Sequence, residues 1–204
     1  MLFSVQVVYI SLIVSLLHLD VLVFGQFMFH RPIIVGPLVG ILFGIPEYGL
    51  LMGVIFELIY ISVIPVGIKI PPDATTAVSF SVMCYKFSSG CIVIPLAIGI
   101  LAGFLYKRLD LFTRSLNSMV ISWVDTAEEE TIIKRINMLI WYGLVSTYLK
   151  TVLFYLIVFP VASYFTVNLC RFVSQYQIYQ NIVNLTVILP SIGIGVVLSY
   201  FIEK

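Results

Sequence analysis

Four side chains able to bind a polar ligand or hold a proton stand in, or at the edges of, the apolar stretch from Gln26 to Asp73: Gln26, Arg31, Glu57 and Asp73. Glu57 lies inside an apolar run. A carboxylate at the centre of a membrane helix costs ~2.5–3.5 kcal/mol on insertion, while each Leu, Ile, Phe or Val returns ~0.3–0.6. Ten such residues between Leu50 and Ile64 contribute roughly 3–6 kcal/mol on that scale, so the segment still inserts. Intramembrane acids face a cavity, a partner or a pathway. Glu57 is therefore a candidate ligand contact, with a buried pair to Arg31 as the structural alternative.

Asp73 follows Ile70-Pro71-Pro72 and precedes an apolar run, which is the pattern of a helix N-cap. Capping alone is one reading of it. The start of a short helix inside a membrane protein also suits anionic or hydroxyl-rich ligands. Gln26 offers a donor and an acceptor together, which fits hydroxyl groups, or it is an interfacial residue. Arg31, before Pro32, is a ligand contact or an interfacial anchor. His18 and His30 read as interfacial. No spacing marks a metal site, and no cofactor is expected. Cys84, Cys91 and Cys170 lack CxxC spacing and read as buried thiols.

The elements that must position these groups are membrane helices. Only 10% of the 204 residues are charged and 61% are hydrophobic, against ~25% charged in soluble domains. The mean hydropathy of +1.11 points the same way, so much of the surface must face lipid. A net charge of +1 provides no basic stripe for nucleic acid. The expected fold is an all-α integral membrane protein, a multi-span helical bundle with short half-helices or re-entrant hairpins.

Leu2 to Leu19 lacks the basic start and small-residue cleavage site of a secretory signal, and reads as a retained membrane helix. Ile33 to Gly44 is 12 residues long, ~18 Å as a helix against a hydrocarbon core of ~30 Å. A break at Ile45-Pro46-Glu47-Tyr48 precedes the longer run Gly49 to Ile64. Ala74 to Tyr85 repeats the short piece and Cys91 to Tyr106 the long one. Such short pieces survive at membrane depth when buried in protein or lining a wet cavity; tilted spans in a thinned bilayer are the alternative. Gly36, Gly40 and Gly44, then Gly49 and Gly53, recur at four-residue spacing, which lets helix backbones approach closely.

Lys107 to Arg135 holds five of the eleven basic residues, so the positive-inside rule places it in the cytoplasm. No GxxxxGK[ST] occurs anywhere in the sequence, so it shows no nucleotide site of that kind. Ile136 to Val167 is too long for one crossing and is expected to divide near Lys150, with that lysine snorkelling at the boundary and a kink at Pro160. The chain thus reads as a first membrane helix (1–24), a membrane core bearing the candidate site (25–106), a cytoplasmic loop (107–135) and C-terminal membrane helices (136–204).

The wording of the core is also familiar. FHRP, then GPLVG-x-x-x-G, G-L-x-x-G-x-x-x-E-L and P-x-G-x-x-x-PPDA resemble the membrane subunit IIC of mannose/sorbose-type sugar phosphotransferase systems. The likeness continues through Arg114-Ser115-Leu116-Asn117, Asp125-Thr126-Ala127-Glu128 and Leu189-Pro190-Ser191-Ile192-Gly193. It implies a multi-pass subunit of the bacterial inner membrane that binds a hexose-type sugar in mid-membrane. A IID-type membrane subunit, phosphorylated IIB with IIA, and a homo-oligomer of the IIC/IID complex are the implied partners. The subunit would not be an enzyme by itself, because its partners carry the phosphoryl group. Glu57, Asp73, Gln26 and Arg31 are the contacts the resemblance favours. Members of that family run on through further membrane segments, whereas this sequence stops at Lys204, so family C-terminal segments are expected to be missing. An ion-coupled secondary transporter using Glu57, or a non-transporting scaffold or receptor subunit, are the rival readings.

Overall fold

The computed structural model describes residues 2–20, 27–61, 72–88, 90–125, 129–175 and 194. Among them there are six helices and no strand: α1 (Leu2–Leu19), α2 (Pro32–Phe43), α3 (Pro46–Tyr60), α4 (Ala74–Tyr85), α5 (Val93–Asp125) and α6 (Glu129–Gln175).

The short first unit forms as its sequence dictates. Pro32 opens α2 at a position where its missing N–H costs no hydrogen bond. Gly44 ends it in the left-handed region, at φ 70°. That conformation lets the Ile45 and Gly44 amides bond to the carbonyls of Gly40 and Ile41 at 2.8 and 3.0 Å, the Schellman arrangement. The break is shorter than expected, because Pro46 starts α3 instead of interrupting the chain. The two helices then fold back with their backbones in direct contact at the glycines. A Cβ at Gly36 would lie 2.7 Å from the Gly53 Cα, and one at Gly49 would lie 2.8 Å from the Gly40 Cα. Backbone contact this close excludes every residue but glycine.

The centre of the bundle is α4. Every residue from Thr75 to Tyr85 is buried, enclosed by α2 and α3 on one side and by α5 on the other. Its serine and threonine hydroxyls all find partners inside the protein: Ser79 donates to the Thr75 carbonyl at 2.8 Å, and Ser81 to the Met52 sulfur at 3.4 Å. A knot of aromatic rings fixes α6 against it, with Phe80 and Tyr155 at 4.9 Å and Phe80 and Phe154 at 5.7 Å between centroids. Gly99 and Gly103 let α5 approach in the same way as the α2–α3 pair. A Cβ on Gly103 would stand 2.8 Å from the Asp73 carbonyl oxygen.

Two expectations about the second half differ from what forms. The long polar stretch does not leave the helix at Tyr106: α5 runs unbroken for 33 residues to Asp125. Nor does the chain divide near Lys150, since α6 is continuous for 47 residues with Pro160 inside it, ~70 Å of helix. Lys150 does not snorkel. Its side chain is 10% exposed and bonds to Asp110 at 2.7 Å, so an ion pair to α5 replaces the water that the lysine was expected to seek. By length and composition, Thr131–Val173 is long and apolar enough to cross a bilayer.

Candidate functional site

Helix ends, rather than helix middles, bring the polar groups together. At one end of the bundle meet the last turn of α1, the turn at residues 27–31, the end of α3 and the start of α4.

Arg31 and Glu57 form an ion pair, the structural alternative given above. The second oxygen of Glu57 accepts from the Ile33 amide at 3.2 Å. Glu57 thus also satisfies one of the amides left unpaired at the start of α2 and sits at the positive end of its dipole. Arg31 remains 42% exposed while Glu57 is 16% exposed. Both oxygens of Glu57 are therefore engaged within the protein.

Asp73 caps α4, as its sequence context predicts: Oδ2 accepts from the Thr76 amide at 2.6 Å. The backbone amide of Asp73 donates to the Gly103 carbonyl at 3.3 Å, which ties the cap to α5. Oδ2 also meets Nε2 of His18 at 3.0 Å. Among the described residues Oδ1 has no such partner, and the side chain is 24% exposed. The neighbouring Thr75 hydroxyl donates to the His30 carbonyl at 2.7 Å, linking the start of α4 to the turn that carries Arg31. Gln26 lies outside the described residues.

His18 is the residue that sequence reasoning missed. It is 5% exposed, because α4 and α5 close over the end of α1. Nδ1 faces the Val14 carbonyl at 3.1 Å, Thr76 Oγ1 stands 3.3 Å from Nε2, and the Tyr106 ring packs at 5.0 Å between centroids. Tyr106 in turn bonds to Thr151 at 2.6 Å and lies under the Lys150 ammonium, 5.5 Å from its ring centre. Asp20 is buried as well. It accepts from the amides of Phe27 and Phe29, both at 2.9 Å, and pairs with His30 at 3.1 Å. Asp20 thus folds the turn that delivers Arg31 to Glu57.

Beyond Tyr106, Asp110 receives both Lys150 and Arg114, each at 2.7 Å. Burial works to raise its pKa, but the hydrogen bonds and charges of Lys150 and Arg114 outweigh that and hold it below the ordinary carboxylate value. A cavity of about 350 Å³ opens between α5 and α6, lined by apolar side chains including Ile98, Leu105, Val158 and Phe165. None of Arg31, Glu57 and Asp73 lines it. Cys84, Cys91 and Cys170 are buried free thiols, and among the described residues no cluster of His, Cys, Asp and Glu could hold a metal ion.

Compared with known families, residues 4–204 match the one described as PTS system sorbose-specific IIC component. A solved structure described as "Structure of membrane protein" shares the fold, with a TM-score of 0.74 at 19% identity, over 98% of this chain and 80% of that one. No curated protein matches the chain.

Proposed function

Because the chain belongs to the family of sorbose-specific IIC components of the sugar phosphotransferase systems, we propose that the end of the bundle around Asp73 is where it takes its sugar. Such components are transport subunits in a membrane, and the phosphoryl chemistry belongs to their IIA and IIB partners. In this reading a hexose-type sugar is held within the bacterial inner membrane by this multi-pass subunit and handed to phosphorylated IIB. A IID-type subunit completes the site, in a homo-oligomer of the IIC/IID complex.

The observation that carries the reading is the unspent oxygen of Asp73. Its Oδ2 is fixed by the α4 cap and by His18, so Oδ1 is aimed without further ordering cost, and a carboxylate oxygen is a strong acceptor for a hydroxyl. The level is also apt. Asp73 bonds to Gly103, one helical turn (~6 Å) before Lys107 on α5. A sugar at Asp73 therefore lies towards the basic stretch Lys107–Arg135, where a cytoplasmic phosphoryl donor would dock. Arg31 and Glu57 flank it as a charge-neutral pair, and Gln26 is the fourth contact of the proposal. The ion-coupled alternative asks Glu57 to carry a cation or proton, whereas both of its oxygens are occupied by Arg31 and Ile33.

The test is uptake of radiolabelled sorbose and mannose by cells carrying the whole permease. Asp73→Asn is expected to lower uptake by about tenfold or more, the loss of one charged hydrogen bond, with the subunit still present in the membrane. Glu57→Gln acts through Arg31 and lowers uptake less. Unchanged uptake in both variants removes these residues from the site. Accumulated sugar that is not phosphorylated favours the ion-coupled alternative.

A further inference from the structure

The contacts of His18 cannot all be satisfied by a neutral ring. Nδ1 faces the Val14 carbonyl oxygen at 3.1 Å, a group that only accepts, so Nδ1 carries a hydrogen. In a neutral imidazole Nε2 would then present a lone pair. It faces Oδ2 of Asp73 at 3.0 Å, an oxygen that already receives the Thr76 amide. Two lone pairs at that distance repel. The Thr76 hydroxyl, 3.3 Å from Nε2, leaves the clash in place. One added proton, taken from solvent and shared by the two residues, removes it.

Charges on the surrounding elements are already matched. On α6 Lys150 is paired with Asp110 of α5, and in the turn His30 is paired with Asp20. Arg31 is paired with Glu57 of α3. Tyr106 of α5 bonds to Thr151, Tyr155 of α6 bonds to Ser79, and Tyr60 ends α3. Among the described residues no unpaired cation substitutes for the shared proton.

We infer that His18 is a positioning residue for Asp73, and that the proton the two share is what keeps the Asp73 carboxylate aimed at the sugar. The inference rests on the sugar site proposed above. Without that proton Asp73 turns away from Nε2, the cap on α4 loosens, and Oδ1 loses its direction. His18 touches no sugar itself.

Two measurements test it. In vesicles bearing the whole permease, His18→Leu is expected to raise the half-saturation concentration for radiolabelled sorbose by about tenfold, with the maximal rate little changed. His18→Gln, whose amide still donates to Asp73, recovers most of that loss. The unaltered protein weakens its binding only as pH rises above neutral, where the shared proton is lost, and His18→Gln does not. Independently of sugar, the ring-nitrogen chemical shifts of His18 in the purified protein near neutral pH are those of a ring protonated on both nitrogens, and Asp73→Asn returns them to the neutral pattern. A neutral ring in the unaltered protein, with uptake still dependent on Asp73, overturns the inference about His18. So does an equal effect of Leu and Gln at position 18. A doubly protonated ring with uptake indifferent to both residues overturns the sugar site instead.

Discussion

Glu57 couples two jobs in one side chain, neutralising Arg31 and closing the first turn of α2. Removing it exposes both a cation and an amide, so Glu57→Ala is expected to destabilise the protein by about 1–3 kcal/mol, discounted for the exposure of Arg31. Replacing both partners with Leu leaves no orphan charge and recovers part of that loss. Thermal unfolding in detergent measures both; additive losses in the double variant would show that the pair is not coupled. At this scale the sequence was informative where chemistry is local. Asp73 announces its cap through the residues on either side, and its cap bond spans three positions. His18 announces nothing, because its partner lies 55 residues away and a histidine ending an apolar run looks the same at a lipid interface.

Helix pairs in this fold are defined by what is missing between them. The α2–α3 approach was legible from Gly36, Gly40, Gly49 and Gly53, since four-residue spacing clears one helix face. Gly99 and Gly103 carry the same spacing and mark the α4–α5 contact, within a run that is otherwise uniformly apolar. Gly49→Ala forces a methyl group into the α2 backbone and is expected to cost about 1–3 kcal/mol or to separate the pair. Gly143→Ala, where nothing lies within 4 Å, gains up to about 1 kcal/mol from helix propensity. Melting temperatures of the two variants should move in opposite directions, and equal shifts would contradict the packing described. The continuity of α6 was hidden for a different reason. An apolar run longer than the bilayer invites a break, and what holds this one, the Lys150–Asp110 pair, joins residues 40 positions apart.

For the molecule as a whole, that same pair binds the two longest helices beyond the apolar part of α5. The pKa of Asp110 is depressed in the folded protein relative to its ordinary 3.8. Its contribution to stability is therefore complete above that value and is lost as pH falls through the lower folded one. Acid titration of the folded protein is expected to show this loss only below the ordinary carboxylate range, and Asp110→Asn should abolish it. An acid transition unaffected by the substitution would assign it to other carboxylates. The helical class and the membrane setting were plain from composition, because 61% hydrophobic residues leave little else to build. The place of α4 at the centre was not, since its four hydroxyl residues make it the less apolar of the two short helices.

That placement bears on how the protein is made. At 12 residues, with Thr75, Thr76, Ser79 and Ser81 along it, α4 is a poor lodger in bare lipid when it leaves the ribosome. Its Ser79 hydroxyl bonds first to the Thr75 carbonyl and meets Tyr155 only 76 residues later in synthesis. One face of the heart of the bundle is thus among the last surfaces to be covered, and a nascent chain halted before α6 would leave the Phe80 side of α4 bare.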